Sequence, residues 1–449
     1  MSEESALLEA GLSKPEAARK TAMFKKVAAA HETLAGRAAP DARRFFVPGR
    51  IEILGKHTDY AGGRSLLCAV ERGFCLLASP RRDGRVVVAD AGRGLETEVT
   101  LDFDDADLVP EGGNWGVYVA AVARRIAHNF PGSLAGADIA FASDLPRASG
   151  LSSSSALVVA LFSALADINR LEERPEYRAS IETQEDLGGY LGCLENGQTF
   201  RDLPGDRGVG TFGGSEDHTA ILCSRSGELA QYAFCPVRHE GSFALPAGFT
   251  FVVASSGVAA AKAGSARDRY NRLSLATVAI LDLWRRETGR ADATLFSAAT
   301  SSPDAAAAIW RVLGQAGDLP FERAFLLGRF DQFFEESTQI IPAVADALAR
   351  SDLAAIGPLV DRSQELAERF LGNQIPETIA LAREARRLGA VAASTFGAGF
   401  GGSVWALVGE SDVEAFRAQW TESYARRFPE AASKAEFFPT RPGPALLRM

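Results

Sequence analysis

Residues 48–63, Pro48-Gly49-Arg50-Ile51-Glu52-Ile53-Leu54-Gly55-Lys56-His57-Thr58-Asp59-Tyr60-Ala61-Gly62-Gly63, set a dense polar cluster at the ends of an apolar strand. Ile51, Ile53 and Leu54 follow the pattern of a strand packed against a core, and Arg50, Lys56, His57 and Asp59 crowd its ends. Charges that converge beside a buried strand are costly unless they bind something. Two more stretches carry polar chemistry. Pro146-Arg147-Ala148-Ser149-Gly150-Leu151-Ser152-Ser153-Ser154-Ser155-Ala156 opens an apolar helix with hydroxyls, free backbone N–H groups and the positive end of a helix dipole. That suits a phosphate, and it equally suits a flexible loop with a Ser N-cap. In Gly210-Thr211-Phe212-Gly213-Gly214-Ser215-Glu216-Asp217-His218, Asp217 could serve as a base, as a metal ligand or as an ordinary turn residue.

Two familiar nucleotide signatures are ruled out by spacing. Gly49 and Gly55 have five residues between them where a P-loop has four, and His57 follows Lys56 where Ser or Thr belongs. Thr395-Phe396-Gly397-Ala398-Gly399-Phe400-Gly401-Gly402-Ser403 contains a GxGxxG pattern. A dinucleotide fold needs a strand before it and a helix after, whereas a helix is expected before and the strand Val404–Val408 after. The glycines instead signal a sharp turn or a close backbone approach.

The elements that must position these groups read as follows. Short amphipathic helices cover 4–36. Strands follow at 45–54, 66–79, 85–90 and 96–103, and polar turns with Asp104, Asp105, Asp107, Gly112 and Gly113 lie within 81–113. Helices are expected at 115–128, 156–171 and 177–195, and strands at 137–142, 219–223, 229–235 and 249–255. From about 260 the chain turns helical, at 265–287, 303–313, 321–336, 338–350 and 375–387, before a last strand at 403–408. The shift in content places a domain boundary near 245–260.

The 449 residues suit two or three domains, and 47% hydrophobic with 23% charged content is that of a globular protein. A net charge of −9 argues against a nucleic-acid binder. The five cysteines form no CxxC pair and read as free thiols in a reducing compartment. Residues 1–30 carry no secretory pattern and no stretch is long enough to span a bilayer, so a cytoplasmic, monomeric protein without a membrane partner is expected.

Together the stretches resemble the GHMP kinase superfamily, and its galactokinase branch in particular. Residues 48–63 are similar to that family's sugar-binding signature, 146–156 to its ATP phosphate loop, and 395–403 to its third motif, all in family order. Asn114-Trp115-Gly116-Val117-Tyr118-Val119 resembles the aromatic segment beside the nucleotide, and residues 265–272 resemble the Tyr-containing helix start beside the sugar. The resemblance runs from about 22 to 410. It implies an α+β fold of two lobes, a ribosomal protein S5 domain 2-like N-terminal lobe (22–250) and a ferredoxin-like C-terminal lobe (251–449), with the active site between them.

The implied activity moves the γ-phosphoryl of ATP to the anomeric hydroxyl of a hexose, galactose first, with Mg²⁺. By resemblance Asp217 is the catalytic acid–base residue and Arg50 the catalytic cation. Trp115, Gly150, Leu151, Ser152, Ser153 and Ser154 fall on the ATP site, Ser154 and Glu195 on the Mg²⁺ ligands, and His57, Asp59, Gly214 and Tyr270 on the sugar pocket. Lys56 departs from the pattern, which has Glu there to bond the C6 hydroxyl. A lysine would suit a C6 carboxylate, so a galacturonate or glucuronate kinase is an alternative. Pairing of Lys56 with Glu216 would return the pocket to a neutral sugar. Lys262 stands where the family has His. A sugar and ATP sensor without turnover is the alternative of another class; a mevalonate- or homoserine-type kinase would lack HTDY.

Overall fold

The computed structural model describes residues 2–36, 38, 41–100, 115–260 and 265–449. The turns with Asp104, Asp105, Asp107, Gly112 and Gly113, and also Asn114 and Lys262, lie outside the described residues.

A long antiparallel pair, β1 (Arg43–Leu54) and β2 (Arg64–Pro80), centres the first sheet. β3 (Arg85–Asp90), β4 (Leu95–Thr100) and β5 (Ala137–Ser143) extend it, with β5 antiparallel to β2 and parallel to β3. The hairpin of β6 (Glu228–Ala233) and β7 (Arg238–Ala244) joins the other part of β2. β1 and β2 are buried on both faces, so their side chains serve two cores. Phe45, Val47, Ile51 and Ile53 meet the apolar helix Ser153–Asn169. Phe46, with Cys75 and Leu77, meets Phe24 and Val27 of the helix Lys14–Ala35. This is the period-2 alternation of a strand carrying apolar groups on both sides. Each fully buried Leu or Phe contributes about 1.5–3 kcal/mol.

The second sheet is wholly antiparallel. It contains β8 (Phe249–Ser255), β9 (Ala392–Phe396), β10 (Ser403–Gly409) and β11 (Glu436–Thr440) in the order β11-β8-β10-β9. The helices Pro376–Arg387 and Val413–Arg427 cover one face with Leu381, Phe416 and Trp420. Between the sheets in sequence runs a helical layer, Ser265–Thr288, Ala305–Gln315 and Arg323–Glu335, with its own core of Ile280, Trp284, Leu313, Phe330 and Phe333. No helix of the described residues is long and apolar enough to cross a membrane.

Three expectations need correction. The apolar run at 219–223 is a helix, Glu216–Cys223, because Ala220, Ile221 and Leu222 are buried together against neighbours on several sides. Short apolar runs do not distinguish the two states. The expected helix 177–195 is two helices, Pro175–Ser180 and Gln184–Asn196, the second started by a Thr183–Asp186 capping box. A strand, β9, precedes the Gly-rich turn, which is therefore a hairpin connection; the dinucleotide reading still fails because β10 follows. The expected cut at 250/251 passes through β8. At the far end of the chain, β12 (Pro442–Gly443) and β13 (Leu447–Arg448) return to β2 and β1.

The helical layer grips the polar turn after β1 through one buried cation. Arg329 donates to the His57 carbonyl, to Tyr60 Oη at 3.1 Å and to Gln332 Oε1 at 2.6 Å. Replacing it with Met leaves a buried carbonyl without its charged donor. Arg329→Met is expected to cost about 3 kcal/mol in urea-induced unfolding.

Candidate active site

β1 and β2 change register at Gly49, where Pro48 pairs with Gly73 and Arg50 pairs with Ala69. Such a bulge re-aims the following side chains. The Arg50 N–H bonds to the Leu151 carbonyl at 3.3 Å, which ties the strand to the Ser-rich loop. Arg50 and Glu52 alternate with the core residues Ile51 and Ile53 and line an open cleft. Elements from every part of the molecule reach this cleft. The turn after β1 contributes His57 and Asp59, the helix Gln184–Asn196 contributes Glu195, and the helix Glu216–Cys223 contributes Glu216 and Asp217. Tyr270 enters from the helical layer and Gly397 from the β9–β10 turn.

Arg50 is 3% exposed and holds three parts of the cleft together. Its Nε donates to Asp217 Oδ1 at 2.7 Å and its Nη1 donates to the Gly150 carbonyl at 2.5 Å. Burial alone would lower its pKa; the carboxyl groups of Asp217, Glu216 and Glu52 outweigh that and raise it. The other oxygen of Asp217, Oδ2, accepts from Ser155 Oγ at 3.3 Å. Ser155 also lies 2.9 Å from Glu195 Oε2, and His218 Nε2 stands 3.1 Å from that same oxygen. Ser155 was missed by sequence reading, which stopped at Ser154. Ser154 itself is hydrogen-bonded to the Tyr118 side chain.

The Ser-rich loop presents the start of the helix Ser153–Asn169. Gly150 and Ser152 both have positive φ, 81° and 58°. Among the described residues Ser152 Oγ is buried with no hydrogen-bond partner. The first N–H groups of the helix have no partner within it. The β9–β10 turn packs directly on this loop: Ser403 Oγ donates to the Ser149 carbonyl at 2.7 Å. A Cβ on Gly397 would lie 2.8 Å from the Gly150 carbonyl oxygen, so a side chain there would push the two turns apart. Leu151 has its side chain in the core and offers the site only its backbone. Trp115 packs edge-on against Phe141 at 5.6 Å and does not line the cleft.

The HTDY turn is held from all sides. Thr58 Oγ1 reaches the carbonyls of Gly55 and Arg64 at 2.8 and 2.7 Å. His57 Nε2 bonds to the Ala398 carbonyl at 3.2 Å, which fixes the proton on that nitrogen, and Nδ1 meets Tyr60 Oη at 3.1 Å. The His57 ring lies 5.2 Å from that of Tyr270. Asp59 Oδ2 accepts the Glu216 N–H at 3.1 Å, at the start of its helix. Burial raises the Asp59 pKa, the Glu216 N–H opposes this, and Asp217 adds to it.

Lys56 is placed differently from the expectation. It is 1% exposed and turns away from the cleft, donating to Ser363 Oγ at 3.1 Å. Ser363 Oγ in turn donates to Glu336 Oε1 at 2.9 Å, and that oxygen also accepts the Gly55 N–H at 2.9 Å. The pairing of Lys56 with Glu216 does not occur either: Glu216 Oε2 accepts from Ser65 Oγ at 2.7 Å. Sequence reading could not see the partner, because Ser363 lies 307 residues from Lys56.

With this geometry in place, similarity to known proteins can be weighed. Residues 29–80 match the family model of the galactokinase galactose-binding signature, 117–189 that of the GHMP kinases N-terminal domain, and 344–426 that of the GHMP kinases C-terminal region. The galactokinase of Chloroflexus aurantiacus is 30% identical over 396 residues, 86% of this chain and 89% of that protein. The chain belongs to the galactokinase family of GHMP kinases. Another member, the galactokinase of Roseiflexus sp. (strain RS-1), is 29% identical over 84% of this chain and 86% of its own length. The crystal structure of Lactococcus lactis galactokinase complexed with galactose shares the fold, with a TM-score of 0.76 at 22% identity over 95% of this chain and 100% of that one. A mevalonate kinase structure follows more loosely, with a TM-score of 0.51 at 13% identity over 89% and 98%. Membership of this family makes the protein an ATP-dependent sugar kinase with the two-lobed GHMP fold.

In this galactokinase relative the approach of Asp59 depends on Gly214. A Cβ there would lie 2.3 Å from Asp59 Oδ2. Gly214→Ala is expected to displace the carboxylate and raise the sugar KM about tenfold or more, with the ATP KM unchanged, in initial-rate kinetics.

Proposed function

We propose that the protein transfers the γ-phosphoryl group of ATP to the anomeric hydroxyl of a neutral hexose, with galactose the first substrate. The observation that carries this reading is the Arg50–Asp217 pair, bonded at 2.7 Å and tied to the Gly150 carbonyl of the phosphate loop. Phosphoryl transfer needs alignment and charge neutralisation above all. Asp217 would accept the proton of the sugar hydroxyl, or orient that hydroxyl for attack. Arg50 would meet the charge that builds up on the transferring group. The helix start at Ser152–Ser154 would receive the phosphates, where Ser152 Oγ is a buried hydroxyl still in need of a partner. Asp59, His57 and Tyr270 would read the sugar, and the backbone beside Gly214 leaves room for it.

The residues around Glu195 fit Mg²⁺. A carboxylate and the hydroxyls of Ser154 and Ser155 are hard oxygen donors, and Mg²⁺ keeps most of its waters. Among the described residues no group of three or more His, Cys, Asp or Glu forms a metal cage, as such a sparse site requires none. Glu195 with Ser154 or Ser155 would hold the ion, which when bound offsets phosphate charge.

A neutral sugar is favoured over a uronic acid by the charge of the lining. Glu52, Asp59, Glu195, Glu216 and Asp217 face the cleft, and Arg50 is the one Arg or Lys among the described lining residues. A C6 carboxylate would enter a field of its own sign, and Lys56 is not there to receive it. ATP turnover is therefore expected with galactose, and with galacturonate and glucuronate at kcat/KM lower by about 100-fold or more. Equal or better turnover of either acid sinks the neutral-sugar reading. Asp217→Asn is expected to lower kcat by about 10²–10⁴-fold while ATP still binds, measured by turnover and by calorimetry. A wild-type protein that binds sugar and ATP yet turns over neither galactose nor the two acids would point to a sensor.

A further inference from the structure

Glu52 and Glu216 come to the cleft from different elements, β1 and the helix after the Gly-rich loop. Glu52 Oε2 accepts the Gly397 N–H at 3.2 Å. Its Oε1 is buried and meets no N–H or O–H donor among the described residues. What the Glu52 side chain does meet is the carboxyl group of Glu216. Glu216 already receives Ser65 Oγ at 2.7 Å and stands 3.9 Å from Arg50 Nε. Two ionised carboxylates in this position repel each other and leave Oε1 without a donor. One proton between them converts the contact into a charge-assisted hydrogen bond.

We propose that Glu52 and Glu216 share one proton and act as a single monoanion that positions Arg50 against Asp217, so that loss of this proton disables the cleft. Every packed element contributes charge to the pair. Arg50 lies on the same strand, Lys56 and Asp59 in the turn that follows, Asp217 on the helix of Glu216, and Glu336 just after the helix Arg323–Glu335. Burial pushes Glu52 up to about 7 against the pull of Lys56 and Arg50, and burial together with Glu52 raises Glu216. When the proton leaves, a second negative charge appears beside Arg50. It competes with Asp217 for the guanidinium and opposes the incoming phosphoryl group. Both glutamates are positioning residues in this scheme.

The kinetic arm rests on the sugar-kinase reading; the stability arm does not. At saturating Mg·ATP, wild-type kcat/KM for galactose is expected to fall about tenfold per pH unit on the alkaline side, once the pair gives up the proton that burial and the Glu52 carboxylate hold on Glu216 well above the ordinary Glu range. In Glu52→Gln and Glu216→Gln an amide supplies the hydrogen permanently. The same profile, whatever its height, is then expected to be flat up to about pH 9. The stability arm has a definite sign. The folded pair holds its protons above the ordinary Glu range, so the folded state binds more protons and stability falls as pH rises from about 4.5 through about 7 and upward. The wild-type Tm should drop over that window and the drop should shrink in either variant. An alkaline limb that survives in both variants, or a wild-type profile without one, overturns the proposal. Should neither variant fold, the wild-type Tm decides: a fall over the window supports the shared proton and a flat line removes it. Absence of turnover with every sugar would instead count against the kinase reading and leave the Tm comparison standing.

Discussion

Arg50 is a permanent positive charge in a place that water scarcely reaches, and the molecule is arranged around that fact. A buried guanidinium is tolerable only when its donors are all engaged and its charge is matched. Meeting that demand draws in the helix that carries Asp217, the carbonyl of Gly150 in the Ser-rich loop, and the carboxyl groups of Glu216 and Glu52. The bulge at Gly49 turns Arg50 toward these partners, and the Leu151 carbonyl fixes its backbone. The same contacts bring Asp217 to the start of the helix Ser153–Asn169. What keeps the fold from leaving an unpaired charge is also what orders the groups of the cleft.

The second sheet contributes to this arrangement without supplying an acid or a base. Its β9–β10 turn lies against the Ser-rich loop through backbone contacts, with Ser403 bonded to the Ser149 carbonyl and Gly397 bonded to Glu52. Glycine is needed there because the two backbones approach within a side chain's breadth. The helical layer does the corresponding work at the turn after β1 and at the Gly-rich loop, where Arg329 fixes the carbonyl of His57 and Asn271 fixes the loop at Gly210 and Phe212. Both lobes and the helical layer thus act on a few residues of backbone at the cleft, which is why substitutions far from Asp217 in sequence can reach it.

The legible part of the molecule was the part whose chemistry is carried by residue type and short-range order. HTDY, the Ser-rich loop and the Gly-rich turn announce themselves in this way, and the strands β1, β2 and β8 follow from their apolar content. Hidden features depended on contacts across the chain. Glu52 read as a polar residue within a strand, although its alternation with Ile51 and Ile53 sets it on the face of Arg50. Ser155 read as one more serine, and only the approach of Glu195 and Asp217 distinguishes it from Ser154. The helix bearing Asp217 was read as a strand because its three apolar residues show no period. Lys56 had the right type for a sugar contact and the wrong direction, set by Ser363 of the helix Leu353–Leu366 and by Glu336, just after the helix Arg323–Glu335.

The position of Lys56 bears on how such a cleft can be so acidic. Its amine lies beside Ser363 and Glu336, and its charge also acts on Glu52 from behind the cleft wall. A cation placed in the cleft itself would bind anions from solution and compete for the phosphates of ATP. A cation placed behind the wall moderates the carboxyl groups while presenting nothing to the ligand. The Gly55 N–H and the Lys56–Ser363–Glu336 chain also tie the turn after β1 to a π-helical turn, Glu336–Ile340, an irregular segment that interrupts two ordinary helices. A charge change at one position of the sugar signature therefore need not alter what the cleft admits. In this chain its direct contacts lie behind the cleft, and the cleft itself presents Asp59 and the Arg50–Asp217 pair.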